Sequence, residues 1–172
     1  ACQKVIFLHH TLAKAIQWAY PNPEQLGKDR MAGLIGASFL FPEKNICVVD
    51  AGTCLTIDAL QGNGQHLGGT ISPGLNMRLA SMPHFTQKLP QATVNELEGY
   101  LGNTARACMA AGAVWGLVSE IEYQVAQLQH GLPTPVEVVL TGGDADFLAQ
   151  RLKVRNFVVS GLVFQGMQCV LA

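Results

Sequence analysis

Two acids and the hydroxyl between them are the first residues in this sequence whose types and spacing could do chemistry. Asp50 closes a short apolar run, Ile46 to Val49. The turn Ala51-Gly52-Thr53 follows, and then a second run that ends at Asp58. An acid at the end of a buried strand, followed by a glycine turn with a hydroxyl, suits phosphate and its metal. Backbone N–H groups in such a turn face the anion, and glycine lets the chain approach closely. An ordinary hairpin of turn-friendly residues is the alternative. A second pair, Asp29-Arg30, sits in Tyr20-Pro-Asn-Pro-Glu-Gln-Leu-Gly-Lys-Asp-Arg30 at a helix start. Arg30 could grip a carboxylate with its planar fork, and Asp29 could take a proton from a hydroxyl nucleophile. The plainer assignment makes Asp29 an N-cap and Arg30 a solvated charge.

Two further glycine segments follow strand-like runs: Gly68-Gly69-Thr70-Ile71-Ser72-Pro73-Gly74, and Thr141-Gly142-Gly143 before Asp144. In a mixed sheet such turns gather at one edge and form a crevice for ligands. A helix N-terminus behind Gly142-Gly143 would suit a phosphate, or the ribose and base beside it. The chain has neither a G-x-x-x-x-G-K-[ST] loop nor a G-x-G-x-x-G fingerprint. Asp58 reads as a strand-end or turn acid, and His66 and His84 as lone histidines. Trp18 and Trp115 read as core or interface residues.

The elements that must position these residues alternate. A short strand is expected at 5–8, a helix from Thr11 (its cap) to Ala19, a break at Tyr20–Pro23 and a helix from Asp29 to about Phe39. Strands at 46–50, 54–60 and 66–72 form a meander, with Gly62-Asn63-Gly64 as a strong hairpin signal. A helix over 75–82, a loose segment over 83–102 and a long helix over 104–129, capped by Asn103 or Thr104, come next. Its apolar residues recur at helical spacing, and Ala110, Ala111, Gly112, Ala113 and Gly116 would let another backbone pack closely. A strand at 136–140, a helix at 144–152, a strand at 157–160 and a helix at 161–171 complete the order. The fold class is therefore α/β: a mixed sheet with an antiparallel three-strand meander and flanking helices.

The 172 residues suffice for about one domain; 49% are hydrophobic and only 13% charged. So apolar a composition points to an interface with another chain or lobe. A net charge of −1 argues against nucleic acid as the main partner. No membrane span is expected, since the longest candidate, Ala107 to Ser119, is short and flanked by Arg106 and Glu120. No signal peptide is visible. Cysteines 2, 47, 54, 108 and 169 are odd in number and lack C-x-x-C spacing, which fits a reduced cytoplasmic setting. Cys47 and Cys54 could face each other across a hairpin, or be small buried hydrophobes.

The motifs Y-x-x-P-x-x-L-G-x-D-R, D-x-G-T-x-x-T-x-D, G-G-x-I-x-P-G, G-N-T and T-G-G, from Tyr20 to Gly143, together resemble the type III pantothenate kinase family. The segment Gly161 to Met167 resembles that family's last helix. The resemblance implies an actin-like (ribonuclease H-like) ATPase fold whose two lobes close over ATP. It implies ATP-dependent phosphorylation of pantothenate to 4'-phosphopantothenate, the first step of coenzyme A biosynthesis. Asp29 would be the general base. Tyr20, Gly27, Lys28, Asp29 and Arg30 would contact pantothenate, and Thr104 would reach it across a homodimer interface. Asp50 would hold a monovalent cation, K+ or NH4+, with Mg2+ accompanying the nucleotide. Gly52, Thr53, Gly69, Gly142 and Gly143 would line ATP. Residues 1–28 would be a remnant of the N-terminal lobe and inter-lobe segment, and 29–172 the C-terminal lobe.

The family's first acid–glycine turn, D-x-G-N-T, has no counterpart before Tyr20. The expectation is an incomplete chain that alone binds ATP poorly and turns over little. A non-catalytic accessory or regulatory homologue, or another actin-like small-molecule kinase, is the competing expectation.

Overall fold

The computed structural model describes residues 6–171, and a five-stranded mixed sheet organises them. Its strands are β1 (Asn45–Ala51), β2 (Cys54–Leu60), β3 (His66–Pro73), β4 (Val136–Thr141) and β5 (Asn156–Val158), in the order β3-β2-β1-β4-β5. β1, β2 and β3 form the antiparallel meander, and β4 and β5 run parallel to β1 and to each other. The hairpin between β2 and β3 turns through Gly64 at φ +87, where the Asn63 side chain accepts from the Gln65 N–H at 3.0 Å.

Alternation along the strands sorts side chains between two cores. Cys47, Val49, Leu55, Ile57, Val138 and Leu140 pack with α2 (Leu75–Phe85), α3 (Ala105–Gly131) and α4 (Ala145–Ala149). Ile46, Val48, Leu60 and Val139 pack on the opposite face with α1 (Lys28–Leu40) and α5 (Leu162–Leu171). Each fully buried Leu or Ile contributes about 1.5–3 kcal/mol, so both faces are needed to hold the sheet. α1 and α5 cross closely because small residues meet there. A Cβ on Gly36 would stand 2.7 Å from the Leu162 carbonyl oxygen, and one on Gly166 would overlap the Ala32 carbonyl. No helix among the described residues is long and apolar enough to cross a membrane.

Several expectations are corrected. Position 5 lies outside the described residues, and 6–8 form no strand. Thr11–Ala19 is not an α-helix: only His10–Leu12 forms a 3₁₀ turn, capped by His9. The Gln17 N–H donates to the Gly64 carbonyl, and the His66 N–H to the Gln17 carbonyl, both at 2.9 Å. These bonds, with burial of Ala13 and Ile16 in the α1-side core, hold the segment extended. Gly27, not Asp29, caps α1. α2 runs through Pro83 to Phe85, and α3 is capped by Thr104, whose side chain accepts from the Ala107 N–H at 3.2 Å. α4 stops at Ala149, where the Asn156 side chain donates to its carbonyl at 3.4 Å. Cys47 and Cys54 do not face each other, since the register sets them against Ala59 and Pro73. Burial, with the Asp58 charge adding, pushes the Cys47 thiol up to about 12, so it is an inert core group.

Candidate active site

Two acid-centred clusters lie along β1 and β2. At the edge where β1 and β4 end, the Asp50 turn and Gly142-Gly143 come together. The Asp144 N–H donates to the Ala51 carbonyl at 2.9 Å. Gly142 adopts φ +94, and a Cβ there would stand 2.5 Å from the Ala51 carbonyl and 2.6 Å from Asp50 Oδ1. Only glycine serves at that position. Pro73-Gly74 joins the edge through a Gly74 N–H bond to the Thr53 carbonyl at 3.1 Å. Gly52, Thr53, Gly143 and Asp144 then line a cleft of about 520 Å³ with Asn76 and Met77 of α2. One detail departs from the sequence reading. The Gly52 N–H donates to the Cys54 carbonyl at 3.0 Å, so it does not face an anion.

Asp50 is half-buried, and burial raises its pKa, with the Asp29 charge adding to the rise. Burial likewise raises Asp144. Asp29 lies exposed in the first turn of α1, its Oδ1 accepting from the Arg30 N–H at 2.8 Å. A Cβ on Gly27 would stand 2.5 Å from that oxygen, so the glycine leaves room for the carboxylate. The structure therefore brings together Gly52, Thr53, Gly142 and Gly143, with Asp50 beside Gly142 and within the field of Asp29.

The second cluster overturns the plain reading of Arg30, Asp58 and His66. Arg30 is buried, and its Nε and Nη2 each donate to an Asp58 oxygen at 2.7 Å. Its Nη1 donates to the Tyr20 hydroxyl at 3.1 Å. Burial opposes the Arg30 charge, but the Asp58 hydrogen bonds and charge more than offset this, and its pKa rises. Asp58 lies mid-strand, opposite Gly69, and is no turn acid. His66 is 1% exposed; its Nε2 bonds Asp58 Oδ1 at 3.1 Å, and its Nδ1 accepts from the Ala19 N–H at 3.4 Å. The signal available in the sequence was an acid flanked by Ile57, Ala59 and Leu60 inside a strand, since a buried carboxylate requires a partner.

The remaining expected residues scatter. Gly69 lies in the interior of β3, where a Cβ would stand 2.7 Å from Arg30 Nη2, and is not part of the glycine-turn edge. Lys28 is exposed beside an apolar groove of Ile6, Phe7, Met167 and Val170. Thr104 starts α3, on the sheet face opposite α1 and Asp29. Among the described residues, His9, His10 and Glu24 form the grouping with ligand atoms close enough to share a metal ion.

The mixed sheet, the meander and the acid–glycine edge define an α/β chain of actin-like fold. A solved structure from Campylobacter jejuni, described as a conserved Baf family transcriptional activator, superposes with a TM-score of 0.63 at 25% identity. It covers 93% of this chain and 70% of its own. A filament structure of Alp12 shares the fold, with a TM-score of 0.52 at 11% identity, over 83% of this chain and 50% of its own. A family model for type III pantothenate kinase matches residues 1–127, and the chain belongs to that family. A type III pantothenate kinase of Flavobacterium psychrophilum is 39% identical over 95% of this chain and 67% of its own. Those of Flavobacterium johnsoniae and Cytophaga hutchinsonii are 38% and 36% identical over 86% and 98% of this chain. The chain spans 60% and 71% of their respective lengths.

Proposed function

We propose that the intact protein transfers the γ-phosphoryl group of ATP to the primary hydroxyl of pantothenate, giving 4'-phosphopantothenate for coenzyme A biosynthesis. The observation that carries this reading is the exposed Asp29 carboxylate within the field of the half-buried Asp50, at the glycine-turn edge. Phosphoryl transfer has a loose transition state, so catalysis is mainly positioning and charge neutralisation. Asp29 accepts the hydroxyl proton as the phosphoryl group departs from ATP. Tyr20, Gly27, Lys28 and Arg30 hold pantothenate around it. Thr53, Gly52, Gly142 and Gly143 line the nucleotide through the cleft and its glycine edge. Gly69, which abuts Arg30, belongs on the pantothenate side in this reading.

The donor set suits a hard cation, because Asp50 offers carboxylate oxygen in a site where burial and Asp29 leave negative charge uncompensated. K+ or NH4+ at Asp50, and Mg2+ with the nucleotide, would supply charge neutralisation for the phosphates. The Thr104 side-chain oxygen already accepts from the Ala107 N–H, and its hydroxyl proton is left to donate to pantothenate. Its place on the face opposite Asp29 supports a homodimer in which Thr104 serves the other copy's site. Large exposed apolar side chains, Leu101 at 89% and Phe85 at 81% among them, support coverage by a second copy or lobe. The lobe division is proposed at 1–28 against 29–172. Ala13, Ile16 and Leu26 would anchor the first segment in the C-terminal core. The setting is proposed to be cytoplasmic, with neither nucleic acid nor membrane as partner.

The test is pantothenate-dependent ADP release by the intact protein, with and without K+. No release under any monovalent cation would overturn the kinase reading. The description of the Campylobacter jejuni neighbour makes a non-catalytic regulator the second reading, and that same result would favour it.

A further inference from the structure

The geometry points to Asp58 and His66 as positioning residues for the acceptor half of the site, an inference that rests on the kinase reading above. The side-on edge of the Arg30 guanidinium, Nε and Nη2, is fully occupied by the two Asp58 oxygens at 2.7 Å. What remains for an anionic acceptor is the end-on edge formed by Nη1 and Nη2. The Tyr20 hydroxyl lies against Nη1 at 3.1 Å, and Gly69 is exposed next to Nη2. A Cβ at position 69 would overlap the Ile57 carbonyl and stand 2.5 Å from Asp58 Oδ1 and 2.7 Å from Nη2, so only glycine leaves that approach open.

Asp58 therefore sets which edge of Arg30 faces outward. Salt-bridge side chains only 6% and 3% exposed leave the pair little freedom to rotate. His66 extends the same control to the loop before α1. Nδ1 accepts from the Ala19 N–H, so Nε2 carries the proton donated to Asp58. The Tyr20 ring stacks over the His66 ring at 6.1 Å and 8°, and Trp18 meets that ring edge-on at 5.7 Å. One buried carboxylate thus ties together three elements: the start of α1 next to Asp29, the 17–20 loop that carries Tyr20, and β3. Charge-assisted hydrogen bonds of this kind are the strong ones, and a planar fork fixes direction as well as distance.

The test uses the intact protein. KM for pantothenate and for ATP, and kcat, are measured for Asp58→Asn, His66→Leu and His66→Gln. The glutamine amide can place a donor at the position of His66 Nε2 and so keep the hydrogen bond to Asp58, which leucine cannot. Loss of one hydrogen bond to a charged group predicts a pantothenate KM raised about tenfold or more in Asp58→Asn and His66→Leu. The ATP KM should stay within about twofold, and His66→Gln should remain near wild type. If Asp58→Asn fails to fold, the His66 pair carries the comparison. Equal rises in both KM values, or a His66→Leu enzyme like wild type, would overturn the inference. A wild-type protein that releases no ADP with pantothenate would instead sink the kinase reading. A second arm then tests the clamp without substrate. The Arg30 Nε–H proton should exchange slowly in wild type and in His66→Gln, and fast in His66→Leu; slow exchange in all three would overturn the clamp.

Discussion

Asp50 and Asp58 belong to adjacent, paired strands and point to the same sheet face, yet their surroundings are opposite. Asp58 is saturated, holding both Arg30 donors and His66. Asp50 sits half-buried among backbone carbonyls and the Asp29 charge, and its proton affinity is raised. A saturated buried acid is architecture, because its partners already supply what water would have given. An acid held with its charge uncompensated awaits a cation or a polar ligand, and such groups gather at working sites. In the proposed kinase reading, the same residue type thus divides the sheet face into an edge for the nucleotide and a framed wall for the acceptor.

The comparison can be broken at four points. The largest effect belongs to Asp29→Asn, which should lower kcat of the intact protein by about 10²- to 10⁴-fold with the ATP KM nearly unchanged. Unchanged turnover would remove Asp29 from the proton step. Next, Asp58→Ala leaves Arg30 as an unpaired buried charge and should cost about 3–5 kcal/mol in denaturant unfolding. A loss under about 1 kcal/mol would mean that the pair is solvated and the contrast with Asp50 false. Gly142→Ala places a methyl against the Ala51 carbonyl at a positive φ, and about 1–3 kcal/mol of stability should go with it.

Asp50→Asn should act in the reverse direction and raise the melting temperature at neutral pH. A raised folded pKa means that Asp50 favours the folded state when protonated, below its unfolded value of 3.8. That contribution is lost as pH rises through the folded pKa. The gain in the variant should therefore be absent in acid and should open from about pH 4 upward. Thermal scans from acid to neutral pH check this, and a variant less stable than wild type at neutral pH would show that Asp50 is already neutralised.

Much of the frame was legible because it is local. The apolar run at 46–49, the Gly62-Asn63-Gly64 turn and the helical spacing of 105–131 each encode their element within a few residues. The edge at Asp50 and Gly142 was legible because a glycine turn with a neighbouring acid closes each strand. The segment 11–19 was misread because its helix-compatible residues are overruled by hydrogen bonds to Gly64 and His66, about fifty residues away. The Arg30–Asp58 pair was missed for the same reason, since neither residue's neighbours mark the other as its partner. Gly69 looked like a turn glycine, and only the pairing of β2 with β3 shows that it lies inside a strand, against Asp58 and Arg30.

The crossing of α1 and α5 has a consequence for synthesis. α1 ends at Leu40 and its partner begins at Leu162, so on a ribosome adding about 5–20 residues per second the first helix waits roughly 6–25 s for its cover. During that interval Met31, Leu34 and Ile35 have only the strands and the preceding loop against them. The apolar face of α1 therefore stays partly uncovered until α5 has been made. Slowing translation late in the message should raise aggregation more than slowing it early.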